Sequence, residues 1–462
     1  MANVSIEFLG ATETVTGSRF LLTGDNSKIL IDAGLFQGTP EIKAKNWNPF
    51  PIEPSSIDAV VLTHAHLDHT GYLPLLVKQG FSGPVYCTEY TAKLVSVILL
   101  DSARIQMEDA KYAQKKGYSS HANPRALYDE SDVAQALKLI KVSKFDTDIQ
   151  VSENAAIHFH HSGHILGSSF VTVELDEKRF LFTGDMGRPT HPVLTSPDPF
   201  PEGHFDVVVT ESTYGDRVHE TPTNEFAQII NETIDRGGSV LIPAFAVDRT
   251  EVILLKLREL VEAGEIKRVP IYVDSPMALT ALDFYRDALN AGRSEIRPDM
   301  IDAWRGRDPF DPGTLSEKRS VEESKSLNDV RQPCIIISAS GMATGGRVVH
   351  HLAHMLPNSK NTVLLVGYQA NGTRGQQLEN GDQRVRIHGE DVPVRAQIAK
   401  AEAFSVHADG DELINWLRPG QKPTAAYVVH GELKSAEEFA KRLKSELGWN
   451  AIVPKPEQSF EV

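Results

Sequence analysis

Three things are scarce in this chain of 462 residues. Cysteine is the first: only Cys87 and Cys334 occur. Each lies in an apolar, strand-like run, so buried free thiols are expected rather than a disulfide framework. Long apolar runs are the second: none approaches the ~20 residues that span a bilayer. The start, 1–10, is a short strand pattern through Val4, Ile6 and Phe8. It has no basic leader or cleavage site, so no secretory signal is expected. Positive charge is the third: 47 Lys and Arg face 62 Asp and Glu, a net of −15. That balance argues against broad electrostatic binding of nucleic acid. It leaves room for a local basic groove and for bound cations. These absences point to the cytoplasm and to no membrane partner. The 41% hydrophobic and 24% charged content is that of a globular protein, and the length suits two or three domains.

What the chain does have is histidine in a telling place. Thr63-His64-Ala65-His66-Leu67-Asp68-His69 follows the apolar run Ala59-Val60-Val61-Leu62 and precedes a turn into a helix. Four ligand-type side chains therefore sit at the carboxyl end of a strand, where α/β sheets place their sites. His64 and His66, two apart, leave the same face of an extended chain. Asp68 and His69 can aim at a second point nearby. One ion cannot use all four well; two adjacent ions can. Imidazole with carboxylate suits zinc better than calcium or magnesium.

Residues 1–35 read as a meander of short strands ending Ile31-Asp32-Ala33-Gly34. Asp32 could orient a metal-bound histidine from behind, and reads equally well as a plain turn aspartate. Helical spacing is expected over 91–113 and 130–140. The polar loop between them, with Lys115, Lys116 and His121, is expected to be a solvated connection. After a strand at 156–160 come His161-Ser162-Gly163-His164, then a strand at 179–182 ending Gly184-Asp185. His164 lies beside a glycine that lets backbone approach closely; His158, His160 and His161 compete with it. Asp185, at a strand end, could bridge two ions.

From about 205 strands alternate with helices, the rhythm of a parallel doubly wound sheet. One strand leads into Ser338-Ala339-Ser340-Gly341-Met342-Ala343-Thr344-Gly345-Gly346 and a helix over 348–356. Exposed amides at a helix start make an anion site that Arg347 would reinforce, with a phosphate the natural guest. Arg249, inside an earlier helix, could serve the same purpose. The charged stretch 293–331 reads as an outer helical layer or loop. Short motifs return with Ala403 to Asp409, which includes His407, and with Val429-His430-Gly431-Glu432. Adjacent ions held by His and Asp support hydrolysis. The ligands alone leave amide, thioester and phosphodiester open, while the phosphate-type loop favours the last. His407, held by Glu211, could protonate a leaving oxygen.

With His164, Asp185 and His430, the block His64-Ala65-His66-Leu67-Asp68-His69 resembles the metallo-β-lactamase superfamily. The blocks beginning at Glu211, Ser338, Ser405 and Val429 resemble its β-CASP nuclease branch, close to prokaryotic relatives of the endonuclease subunit of the cleavage and polyadenylation specificity factor. The resemblance spans essentially the whole chain. It implies an αββα sandwich interrupted by an α/β parallel-sheet domain: 1–208, the inserted 209–398, and 399–462 returning to the sandwich. It implies two Zn2+ per chain, one held by His64, His66 and His164, the other by Asp68, His69 and His430, with Asp185 bridging. Asp32 matches a supporting aspartate, and Glu211, His407 and His430 the three β-CASP motifs; histidine at the third is typical of RNA-directed members. The resemblance also implies phosphate contacts by Ser338, Ser340, Gly341, Thr344, Gly345 and Gly346.

The expected activity is hydrolysis of single-stranded RNA by hydroxide held between the zincs, endonucleolytic with 5′-exonucleolytic action left open, and His407 assisting departure. Arg249, Arg347 and Arg374 are expected to face the RNA. One departure is Asp248, where relatives usually carry glycine. No KH-type domain and no long RNase J-like tail is expected, and a homodimer through the sandwich is compatible with the pattern. A thioesterase-like hydrolase of small molecules and a non-catalytic RNA-processing subunit are the other readings. The filled ligand positions argue against the second.

Overall fold

The computed structural model describes residues 4–116, 124–219, 224–369, 372–401 and 404–462. His121 and Ala403, named above, lie outside them. The chain divides into two compact units, Met1–Val218 with His407–Val462, and His219–Val406.

The first unit stacks two seven-stranded sheets. Ser5–Phe8, Phe20–Thr23 and Lys28–Ile31 form an antiparallel meander. Ala59–Val61, Val85–Thr88 and Ile140–Ser143 extend it in parallel. In the second sheet, Ala155–His161, Ser169–Leu175 and Lys178–Phe182 run antiparallel. Val207–Glu211 and Ala425–Val429 then add in parallel. Alternation along the strands turns Ile6, Phe8, Ile31, Phe159, Val171, Phe182 and Val209 into one shared core. Burying each such side chain contributes about 1.5–3 kcal/mol. Gly410–Leu417 and Leu433–Leu447 cover the outer face of the second sheet through Leu413, Ile414, Phe439 and Leu443. Glu89–Lys116 packs on the first. The architecture is the αββα sandwich expected.

The second unit is built on a six-stranded parallel sheet. Its order is Leu315–Glu317, Ile271–Val273, Ile335–Ser338, Val240–Pro243, Thr362–Leu365, Gln397–Lys400. The central strands are buried along their whole length, as covering both faces of a parallel sheet requires.

Some local expectations shift. The helix expected over 130–140 stops at Leu137, and Ile140–Ser143 becomes a strand because Val85–Thr88 offers it a parallel edge. The 293–331 stretch contains the edge strand Leu315–Glu317, too short and polar to show a period. Val207–Glu211 pairs along its length within the sandwich. The joints between units accordingly fall several residues beyond 208 and 398. Cys87 and Cys334 are buried free thiols, and burial pushes the Cys87 thiol up to about 12. Among the described residues no helix is long and apolar enough to cross a membrane.

Candidate metal centre

The candidate centre lies in the first unit, where several strand ends meet. The strand Ala59–Val61 delivers Thr63 and His64, and a single helical turn, Leu67–Thr70, carries Asp68 and His69. This turn is clasped by backbone bonds. The Asp68 carbonyl accepts the Ser18 amide at 2.8 Å, and the His69 carbonyl accepts the Ala33 amide at 2.7 Å. A Cβ on Gly34 would meet the Asp68 carbonyl oxygen at 1.6 Å, so only glycine fits there. Asp32 and His430 hold left-handed backbone conformations, with φ of 59° and 49°. Strain of this kind gathers where a side chain must be aimed.

Two groups of ligand atoms result. His64, His66, His164 and Asp185 form one; Asp68, His69 and His430 form the other. In the first, His66 Nδ1 lies 3.1 Å from His64 Nε2 and 3.3 Å from His164 Nε2. In the second, His69 Nε2 and His430 Nε2 are 3.1 Å apart, and Asp68 Oδ2 is 3.4 Å from His430 Nε2. Asp185 straddles both. Its Oδ2 is 3.4 Å from His64 Nε2, and its Oδ1 is 3.3 Å from His69 Nε2. Ring nitrogens packed this closely cannot all carry protons, and a divalent cation satisfies their lone pairs at once. The buried His164 Nδ1 has no hydrogen-bond partner. This donor set fits zinc in two adjacent positions.

Electrostatics agrees for the first group. Burial drives the His66 imidazole down to about 4 and holds His64 and His164 well below the ordinary histidine value. They are neutral, the form that ligates. Burial opposes charge on Asp185, but His430, His69 and His64 outweigh it and hold the carboxyl well below the usual range. Burial also opposes charge on His69, yet Asp185 and Asp32 outweigh it and raise its pKa well above the ordinary value.

Around these groups stand the supports. Asp32 Oδ2 is 2.7 Å from His69 Nδ1. Asp32 itself accepts the Thr63 amide and hydroxyl at 2.8 and 2.9 Å. Thr213 Oγ1 lies 3.1 Å from His430 Nδ1. His407 Nδ1 faces Glu211 Oε2 at 3.3 Å, and its Nε2 is 4.0 Å from Asp185 Oδ2. A bridge between Gly187 and His407, with the Ala408 amide on the Met186 carbonyl, fixes that histidine. His158, His160 and His161 stay apart: His161 pairs with Asp198, and the other two lie along one face of their strand. Thr63 and Thr213 were not singled out from sequence, since a threonine beside a ligand carries no distinguishing pattern.

The Ser/Gly loop belongs to the second unit. Gly346, with φ of 75°, precedes the helix Arg347–Met355. Ser338 donates to the Asp274 carbonyl at 2.8 Å, and Ser340 accepts the Thr344 amide at 3.1 Å. Gly341 lies against Phe245, whereas Gly345 faces open space. The three arginines brace backbone. Arg347 binds Asp274 at 2.7 Å and the Lys318 and Arg319 carbonyls. Arg249 is buried and donates to the Val366 carbonyl. Arg374 donates to the Ala343 and Arg386 carbonyls. Asp274, which also meets His351 at 2.6 Å, is the anchor that sequence reasoning passed over. A strand-end aspartate before Ser275-Pro276 was its one signal.

An αββα sandwich with paired His/Asp groups at its strand ends defines a metallo-hydrolase. The chain belongs to the metallo-beta-lactamase superfamily, in its β-CASP branch. Residues 15–215 match the metallo-beta-lactamase superfamily model. Residues 250–378 match the Beta-Casp domain, and 391–454 the Zn-dependent metallo-hydrolase RNA specificity domain. Ribonuclease TTHA0252 of Thermus thermophilus is 36% identical over 92% of both chains. An RNase J-like protein of Methanocaldococcus jannaschii is 31% identical over 98% of both. A transcription termination factor FttA of Methanosarcina mazei is 30% identical over 96% of this chain and 70% of its own. The crystal structure of a protein of unknown function from Enterococcus faecalis V583 has the same fold, with a TM-score of 0.56 at 11% identity over the full length of both chains.

Proposed function

We propose that the chain is a zinc-dependent ribonuclease that hydrolyses phosphodiester bonds of single-stranded RNA. The observation that carries the reading is Asp185 straddling two His/Asp groups, with His407 and Glu211 alongside. Relatives named ribonuclease and RNase J-like support the substrate class. His64, His66 and His164 would hold one zinc, Asp68, His69 and His430 the other, and Asp185 both. Bound zinc supplies a lowered water pKa and positive charge toward the scissile phosphate.

The chain's own groups supply the rest. Asp32 orients His69. Glu211 orients His407, whose Nε2 protonates the leaving oxygen. In the second unit, backbone amides of the 340–346 loop, braced where Arg374 binds the Ala343 carbonyl, receive phosphate. The functional partition is catalysis in Met1–Val218 with His407–Val462 and phosphate contact in His219–Val406. The reading includes a cytoplasmic location and is compatible with a pair of chains joined through the sandwich.

The test is cleavage of 5′-labelled single-stranded RNA by zinc-loaded protein, beside DNA of the same sequence. Asp68→Ala and His407→Ala proteins run in parallel. Internal RNA fragments that vanish in both variants establish an endonuclease, and labelled mononucleotide a 5′-exonuclease. Intact RNA with loaded zinc overturns the reading and directs attention to small acyl esters.

A further inference from the structure

A second histidine-aspartate cluster stands outside the centre, on the strand Ala155–His161 of the first unit. His158 and His160, two residues apart, leave the same face of that strand. Their rings lie 4.3 Å apart. Asp146 joins them from the preceding loop, and its amide donates to the Phe159 carbonyl at 3.2 Å. That bond pins the loop beside the residue lying between the two histidines. One ligand atom from each of Asp146, His158 and His160 falls within 4.8 Å of the others.

Each imidazole is also oriented from behind. His158 Nδ1 faces Asp148 Oδ1 at 2.8 Å, which turns Nε2 to within 3.9 Å of Asp146 Oδ1. A carboxylate on one ring nitrogen, with the other directed at a ligand position, is the arrangement metal-bound histidines use. His160 Nε2 lies 3.3 Å from Thr172 Oγ1 on the neighbouring strand, leaving Nδ1 available. Its ring stacks on Phe170 at 4.5 Å, and Phe170 in turn packs on Trp416. The ring is therefore held before any ion arrives. Burial and the adjacent His158 lower His160 to about 4, which keeps it neutral.

We infer that Asp146, His158 and His160 form a separate divalent-cation site, with Asp148 as the buttress of His158. Two imidazoles and a carboxylate suit zinc or a similar borderline ion, with water completing the coordination. The site ties the 144–148 loop to the strand and is independent of the ribonuclease reading.

Zinc itself is the probe. Chelator-stripped full-length protein is equilibrated against buffered Zn2+ and bound metal is counted. The His158→Gln/His160→Gln protein is expected to hold one zinc fewer per chain than the unaltered protein. Asp146 is mostly solvent-exposed, so Asp146→Asn folds regardless and tests the site even where the double variant does not; it should weaken the same zinc. Asp148→Asn should weaken it by about 10–100-fold. Equal zinc counts and affinities in the unaltered protein and the folded variants overturn the inference.

Discussion

Glu211 meets two groups at once: its Oε2 lies 3.3 Å from His407 Nδ1, and its Oε1 accepts the Met186 amide at 2.6 Å. The carboxylate is fully buried, so it is fixed beside Asp185 and orients His407 from behind. If His407 protonates the leaving oxygen, His407→Ala lowers single-turnover RNA cleavage by about 10²–10⁴-fold. Glu211→Gln keeps an acceptor for the Met186 amide but loses the charge, so it costs less, and Glu211→Gln adds nothing to His407→Ala. Zinc content stays at the unaltered level in all three proteins. A His407→Ala protein whose lost activity tracks lost zinc would place the histidine among the ligands instead.

If the proposed centre holds zinc, Asp32 acts on it through His69, whose Nδ1 it faces at 2.7 Å. Asp32→Asn preserves size but removes the charge opposite His69 Nδ1, and metal affinity is expected to fall by about 10–100-fold. The loss should concern the position shared by Asp68, His69 and His430. Zinc titration against a competing chelator reads it directly. Unchanged affinity would reduce Asp32 to a turn residue bonded to Thr63.

Asp248 adopts φ of 70° at the start of a helix, a conformation glycine takes freely. The strain costs about 1–3 kcal/mol. Its carboxylate accepts the buried Tyr285 hydroxyl at 2.7 Å. Asp248→Gly alone removes the strain but also takes away that hydroxyl's carboxylate acceptor, a cost of about 1–3 kcal/mol. The two effects should nearly cancel. Adding Tyr285→Phe removes the hydroxyl itself, and the double variant should exceed the unaltered protein in urea resistance. A double variant weaker than Asp248→Gly would show that Tyr285 has another indispensable partner.

Glu251 is buried one helical turn beyond Asp248, and burial together with the Asp248 charge raises its pKa well above the ordinary glutamate value. The folded chain therefore keeps a proton that the unfolded chain has released. Its contribution to stability is complete below the ordinary glutamate value and falls as pH rises toward the folded value. Glu251→Gln removes that dependence. Urea unfolding should show the variant equal to the unaltered protein under acidic conditions and more stable at neutral pH. A constant difference across pH would mean that Glu251 does not titrate in this window.

The candidate ligands were legible because metal chemistry depends on residue type and short spacing. His64, His66, Asp68 and His69 announce themselves at the end of one strand, and period-two alternation marks the sandwich core. The α/β rhythm of the second unit is equally local. Hydrogen-bond partners are not. His69 and His430 stand 361 positions apart and come within 3.1 Å because Ala59–Val61, which leads to the first, and Ala425–Val429, which ends at the second, lie in the two sheets that share one core. The arginines were legible as positive charge, yet Arg347 binds Asp274 and the buried Arg249 the Val366 carbonyl, since a guanidinium drawn from water takes whichever acceptors surround it. Sequence alone determined which side chains could ligate and which layers could form. Tertiary structure decided which candidate ligands come together, which carboxylate faces which histidine, and which cations brace backbone, because those depend on sheet order and burial rather than on neighbours in the chain.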